Sequence, residues 1–205
     1  MVLKKIIAGP LGVNCYIIGC EKTGVGAVID PGENCEIIFN ALKDNNIELK
    51  YILLTHGHID HLAHLNRVKD KTNALFLMHK DDQFLLRGLS AQALMFGLPD
   101  PGKLQPDRFV EDNEKIPLGE LNITVLHTPG HSPGSITFFV GNKLFVGDLI
   151  FEGSVGRTDF PGGNHQTLID SVENKIFTLP PETEIYPGHG PSTTVKQEKA
   201  SNPFF

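Results

Sequence analysis

Short apolar runs broken by Gly and Pro fill the first third of the chain: "KKIIAG", "NCYIIG" and "GAVIDPG". Runs of this length and punctuation predict strands in a meander, the third closed by Asp-Pro-Gly. In "CEIIFNALKDNN" the pattern changes. Ile37, Ile38 and Leu42 fall at helical spacing and the segment ends on Asn-Asn, a C-cap signal. "YILLTH" predicts a fully apolar strand, "HLAHLNRVKDKTN" a helix, "ALFLMH" a strand, and "DDQFLLRGLSAQALMFG" one or two helices.

Residues 97–113 are rich in Pro, Gly and Asp and predict a loop. Three strands follow in "LNITVLHTPG", "GSITFFVG" and "NKLFVGD". "NHQTLIDSVENKIFTL" is an amphipathic helix with Leu168, Val172 and Ile176 on one face and Asn164 as N-cap. "TEIYPGHG" is a last strand and loop. Meander, helices, meander, helix and strand make an α/β pattern whose halves echo each other. Two sheets packed face to face with helices outside satisfy it, although periodicity alone does not select that arrangement.

A chain of 205 residues, 40% hydrophobic and 20% charged, suits one core spanning residues 1–205. Its net charge of −6, with no basic run longer than Lys4–Lys5, argues against a nucleic-acid partner. The N-terminal "MVLKKIIAGPLG" has no signal-peptide apolar stretch and no later segment is apolar enough to span a bilayer. A cytoplasmic location without membrane partners is therefore expected. Cys15, Cys20 and Cys35 lack metal-type spacing and read as reduced, buried thiols.

The chemistry concentrates in "THGHIDHLAHL", residues 55–65, which holds four of the nine histidines. His56 and His58 lie two apart in extended chain and project to one side. Asp60 and His61 are then carried round into the next element. A string H-x-H-x-D-H arises by chance on the order of once in a thousand chains of this size. A lone loop histidine is usually solvated, but here further ligand types stand in matching contexts. His131 follows the strand at Ile123–His127, Asp148 the strand at Leu144–Val146, and His189 the strand at Glu184–Tyr186. In each a strand ends, a Gly frees the backbone, and a metal-compatible side chain follows.

With Asp30 of "IDPG" ahead of it, this set resembles the metallo-β-lactamase fold superfamily. Within it, the chain is most similar to the glyoxalase II group, the hydroxyacylglutathione hydrolases, in a short form without the C-terminal helical domain. The motifs run from about Asn14 to the C-terminus. The resemblance implies an α/β (α+β) four-layer αβ/βα sandwich: two mixed β-sheets, helices on the outer faces, and a two-metal site at one edge. Carried over by position, His56, His58 and His131 resemble the ligands of one ion and Asp60, His61 and His189 those of the other, with Asp148 between them. The implied cofactors are two divalent ions, zinc first, with iron or manganese as alternatives. Such ions would acidify a water between them to hydroxide near pH 7. The implied activity is hydrolysis of a small-molecule thioester, S-lactoylglutathione to lactate and thiol, with Asp60 orienting the nucleophile as well as ligating.

Several alternatives bear on that reading. "GRTDF" and "SVENKIFTLPPETEIYPGH" are also similar to persulfide dioxygenases, which share the fold and use a single iron. The zinc β-lactamases carry a cysteine in their second site and flavodiiron relatives a Glu for one motif histidine; neither change is present. A structural zinc site is usually closed by four Cys/His ligands, whereas this set includes two aspartates and is open. A nucleic-acid hydrolase of this fold would need an inserted arm. Arg157, on the loop after Asp148, resembles a basic residue that contacts glutathione and is expected to meet a substrate carboxylate. His64, three residues after His61 on the expected helix, should face the same side without ligating. His79, His127 and His165 have no ligand context, though His165 stands where it could rim the cleft, and residues 84–98 are placed either in a pocket wall or in a plain core helix.

Overall fold

The computed structural model describes residues 1–32 and 34–205. In the N-terminal half, β1 (Val2–Ala8), β2 (Val13–Gly19) and β3 (Val25–Ile29) form an antiparallel meander. After α1 (Cys35–Asp44), β4 (Glu48–Leu53) adds parallel to β3. After α2 (Leu65–Thr72), β5 (Leu75–Met78) adds parallel to β4, and after α3 (Leu89–Phe96) a short β6 (Arg108–Phe109) completes six strands in sequence order.

The second sheet starts with an antiparallel run of β7 (Lys115–Leu118), β8 (Leu121–His127), β9 (Ile136–Val140) and β10 (Lys143–Gly147). The chain then makes a small hairpin of β11 (Ile150–Phe151) and β12 (Ser154–Val155) and crosses over through α4 (His165–Ser171). It returns as β13 (Glu184–Pro187), parallel to β10, and closes with β14 (Thr193–Thr194) and α5 (Val195–Ser201).

The strand sequences read as continuous apolar runs because both faces of each sheet are covered. In β2, Tyr16 and Ile18 join Ile29, Leu53, Ile123, Val125 and Phe138 in the core between the sheets. Cys15 and Ile17, pointing the other way, pack with Ile38 of α1, Val68 of α2 and Leu89 of α3. On the outer face of the second sheet, Leu144, Val146 and Ile185 meet Leu168, Val172, Ile176 and Val195. The layers are helix, sheet, sheet, helix, as the resemblance implies. Leu168, Val172 and Ile176 are fully buried, and beyond Ser171 their helix continues as a π turn from Val172 to Ile176. Asn164 caps it, its side chain accepting from the Thr167 N–H at 2.9 Å.

Some expectations need correction. The helix expected from His61 starts at Leu65. Ile59–His61 form a 3₁₀ turn, and His64 is the N-cap of α2. His64 Nδ1 accepts from the Cys35 N–H at 3.3 Å. The loop at 97–113 contains the two-residue edge strand β6. The hairpin β11–β12 and helix α5 were unmarked by hydrophobic period. A Thr194 cap that accepts from the Gln197 N–H marks the start of α5 instead.

Within each sheet the strands that feed the site run the same way. Asp30 follows β3, His56 β4, His131 β8, Asp148 β10 and His189 β13, so all leave from C-terminal strand ends at one edge of the sandwich.

Candidate metal centre

The seven residues singled out in the sequence meet at that edge. His56 Nε2 and His58 Nδ1 lie 3.2 and 2.8 Å from His131 Nε2. Imidazole nitrogens on one tetrahedral ion, with bonds of about 2.0–2.1 Å, stand about 3.3 Å apart. Asp60 Oδ2 lies 3.3 Å from His189 Nε2 and 3.7 Å from His61 Nε2. Asp148 faces both groups: Oδ1 is 3.4 Å from His61 Nε2, and Oδ2 is 3.8 and 3.7 Å from His131 and His189 Nε2. His56–His58–His131 and Asp60–His61–His189 are each close enough to hold one ion, and Asp148 with His56 and His61 makes an overlapping third set.

Partners on the outer nitrogens aim the inner ones. His131 Nδ1–H donates to the Arg157 carbonyl at 2.7 Å, and His189 Nδ1–H to the Leu11 carbonyl at 3.1 Å. His61 Nδ1–H donates to Asp30 Oδ2 at 2.9 Å. Asp30 also accepts the N–H and hydroxyl of Thr55, which frees the Thr55 oxygen to accept from His56 Nδ1–H at 3.0 Å. Four of the five imidazoles thus keep a proton on the outer nitrogen and turn Nε2 inward, the orientation that metal ligation uses. Asp30 does this from a left-handed backbone, φ 52°, which Asp tolerates better than most residues.

Two residues that sequence reasoning passed over fix the loops. Buried Asp82 accepts from Gly57 N–H (2.9 Å), Gly134 N–H (2.6 Å) and the Ser132 hydroxyl (2.6 Å), clamping the His56–His58 loop to the His131 loop. Its signal was available: Asp82 also lies just beyond a strand end, after β5. Asn14 Nδ2–H donates to the carbonyls of Pro187 and Gly190, both at 2.9 Å, and holds the loop that carries His189. In that loop Gly188 has no room for a side chain, since a Cβ there would overlap Asp148 Oδ1 and stand 2.6 Å from His61 Cε1.

The two groups differ electrically. Burial, then the neighbouring imidazoles, push the His56 pKa well below its ordinary value, and burial with His131 takes His58 down to about 4. For His61 burial opposes charge, but Asp60, Asp148 and Asp30 outweigh it and raise the pKa well above the ordinary value. His189 is raised in the same way, by Asp60 and Asp148 against burial. The Asp60 and Asp148 carboxyls are held low by His61 and neighbouring imidazoles despite their burial. Among the described residues, His61 Nε2 and Asp148 Oδ1 are buried atoms without a hydrogen-bond partner, and they face one another. Two orphaned atoms of a base and a carboxylate, aimed at one point, fit a cation between them.

A cavity of about 500 Å³ opens on the centre, walled by Leu11, Leu85, Met95, Phe96, Phe160 and Pro161. Residues 84–98 thus supply one of its walls while Leu89 and Ala93 belong to the core. Arg157 also lines the cavity. His79 and His127 stack with centroids 4.1 Å apart and planes at 15°, so their lone pairs run side by side instead of converging, although with Asp81 they are close enough to form a candidate group. His165, at the start of α4, packs edge-on against Phe204.

The family model described as the metallo-beta-lactamase superfamily matches residues 8–189. The chain belongs to this superfamily. It is similar to the hydroxyacylglutathione hydrolase GloC of Haemophilus influenzae, 40% identical over 93% of this chain and 92% of that one. Among solved structures, BLEG-1 B3 metallo-β-lactamase superposes with TM-score 0.91 at 34% identity over 99% of both chains. TTHA1623 in a di-iron-bound form superposes with TM-score 0.90 at 35% identity, covering 98% of this chain and 100% of that one. The His/Asp cluster therefore sits at the edge of a metallo-β-lactamase fold, in a superfamily of metallo-hydrolases.

Proposed function

We propose that the protein is a binuclear thioester hydrolase of the glyoxalase II kind, acting on hydroxyacyl thioesters of a small thiol such as S-lactoylglutathione. The observation that carries this reading is Asp148, whose carboxylate lies within 3.8 Å of His131 in one group and of His61 and His189 in the other. His56, His58 and His131 would hold one divalent ion and Asp60, His61 and His189 the other, with Asp148 shared. Bound there, the ions supply a water acidified towards neutrality and positive charge for a developing oxyanion. Five imidazoles and two carboxylates suit zinc, iron or manganese. Zinc is the first assignment, and the likeness to a chain named as a di-iron form brings iron beside it.

The chain's own groups account for the rest. Asp30 and the Arg157 and Leu11 carbonyls keep the outer nitrogens protonated and turn the inner ones to the centre. Asp60, held ionised and lining the cavity, is a proton acceptor that orients the nucleophile. The apolar walls keep bulk water from the carbonyl. A thiolate, with a pKa of about 8.5, leaves without a general acid. Apart from the candidate ligands, the described residues of the cavity lining offer no titratable acid near neutral pH, which suits a thioester better than an amide. The similarity to GloC supports the same substrate class.

The test is metal content per chain combined with three assays: thiol release from S-lactoylglutathione, opening of a β-lactam, and oxygen uptake on glutathione persulfide. Two ions and thiol release are expected. One iron per chain with oxygen uptake would overturn the reading in favour of a persulfide dioxygenase. β-Lactam opening without thiol release would move the substrate to that of the BLEG-1 relative.

A further inference from the structure

Apart from the imidazoles, Arg157 is the one cation among the described residues that line the cavity, and its fork is already filled. Nε–H and Nη2–H donate to the two oxygens of Asp159 at 2.7 and 2.6 Å, a two-point pairing of the kind an arginine offers a substrate carboxylate. The guanidinium carbon lies 4.0 Å from the centroid of the Phe160 ring, and that ring meets His58 edge-on at 5.2 Å. Arginine, phenylalanine and metal-group histidine are thus stacked in one row, with Asp159 at its outer end. Both members of the ion pair are exposed, at 58% and 67%, so exchange with a ligand is open to solvent. Around them the wall is apolar, and Met95 and Phe96 extend it outwards.

We propose that Asp159 sets the charge selectivity of this site: it stands in for a substrate carboxylate on Arg157, and so disfavours anionic thioesters relative to uncharged ones. The inference rests on the thioester-hydrolase reading. Binding of an anionic thiol moiety requires the Asp159 carboxylate to be displaced, and the displaced charge then lies beside the incoming one. An uncharged thioester meets only the neutral pair and the apolar wall.

The experiment compares S-lactoylglutathione with S-lactoyl-N-acetylcysteamine, which carries the same acyl group on an uncharged thiol. The Asp159→Asn variant should raise the ratio of kcat/KM for the anionic over the uncharged ester by about two- to fivefold, the size expected for exchange of an exposed ion pair. The change should lie in KM. Binding of S-methylglutathione to the metal-loaded protein, followed by calorimetry, should tighten by a similar factor. The double variant Arg157→Gln/Asp159→Asn should lose that gain, because the freed fork produces it. An unmoved ratio, or a gain that survives in the double variant, would overturn the proposal. S-methylglutathione binding is read without turnover, so a protein that cleaves neither ester refutes the hydrolase reading while the selectivity of Asp159 is still decided by affinity.

Discussion

Asp30 and His61 touch at 2.9 Å between Oδ2 and Nδ1, both side chains closed to solvent. Through Thr55 the same carboxylate also orients His56. One residue therefore aims an imidazole in each half of the centre. Asp30→Asn preserves volume but sets an amide where two donors need an acceptor. Loss of such an outer partner typically costs about 10–100-fold in metal affinity. Competition against a chelator should show weakening in both halves, and unchanged affinity would remove Asp30 from this role.

Metal loading should depend on pH differently in the two groups. His56 and His58 are held low, His58 at about 4, so near neutral pH their lone pairs are already available. His61 and His189 are raised by the carboxylates around them, and an ion must displace protons there. The sign follows: below the raised pKa values, each unit fall in pH weakens the Asp60–His61–His189 group by about tenfold per proton displaced. His56 and His58 take up protons only at more acidic pH, so their hold on an ion weakens later. Calorimetry in buffers of differing ionisation enthalpy counts the protons released, and equal release from both sites would contradict this assignment.

How much of this was legible follows a physical divide. The seven metal-group residues could be read because each is tied to a local cue, a strand end followed by a Gly or a tight histidine string. Leu168, Val172 and Ile176 could be read because one helix face carries the period. Asp82 shares the strand-end cue, after β5, but its partners Gly57, Ser132 and Gly134 lie far along the chain, so the cue alone does not show what it holds. The helix start was placed four residues early because the 3₁₀ turn at Ile59–His61 carries no period of its own. Only Thr158 separates Arg157 from Asp159, yet a loop arginine in sequence carries no mark of whether its partner lies in the chain or outside it.

Asp60→Ala removes a carboxylate from one half of the centre and the proposed proton acceptor together. Thioester turnover should fall by about 10²-fold or more in metal-replete protein. Metal analysis of the same sample separates lost loading from lost chemistry. Full turnover in the variant would exclude Asp60 from the mechanism.

Gly188→Ala should be among the most damaging single changes at the site, although it removes no polar group. The added Cβ would overlap Asp148 Oδ1 and His61 Cε1, so the loop after β13 or the Asp148–His61 pair must move. Overpacking of this kind costs about 1–3 kcal/mol. Denaturant unfolding should show that loss, and the variant should bind fewer than the full complement of ions. A variant with wild-type stability and metal content would mean that the loop relaxes freely.

Asp82 belongs to neither metal group yet should control one of them selectively. Its carboxylate gathers donors from Gly57, Ser132 and Gly134, so Asp82→Ala leaves two buried N–H groups without acceptors; the Ser132 hydroxyl can still pair with Ser135 at 2.7 Å. The expected cost is about 2–4 kcal/mol in metal-free protein. Burial raises the Asp82 pKa despite those donors. The folded chain therefore keeps this proton to higher pH than the unfolded chain. The contribution of Asp82 to stability is then fully present below the unfolded value and declines as pH rises through the folded one. The stability gap between wild type and Asp82→Ala should accordingly widen as pH falls from neutral, opposite to the trend for a carboxylate held low by a salt bridge. The loops that Asp82 joins carry His56, His58 and His131, whereas His189 is held from elsewhere, by Leu11 and Asn14. Metal affinity should thus fall more in the three-histidine group than in the Asp60–His61–His189 group, and equal losses in both would show that Asp82 supports the fold alone.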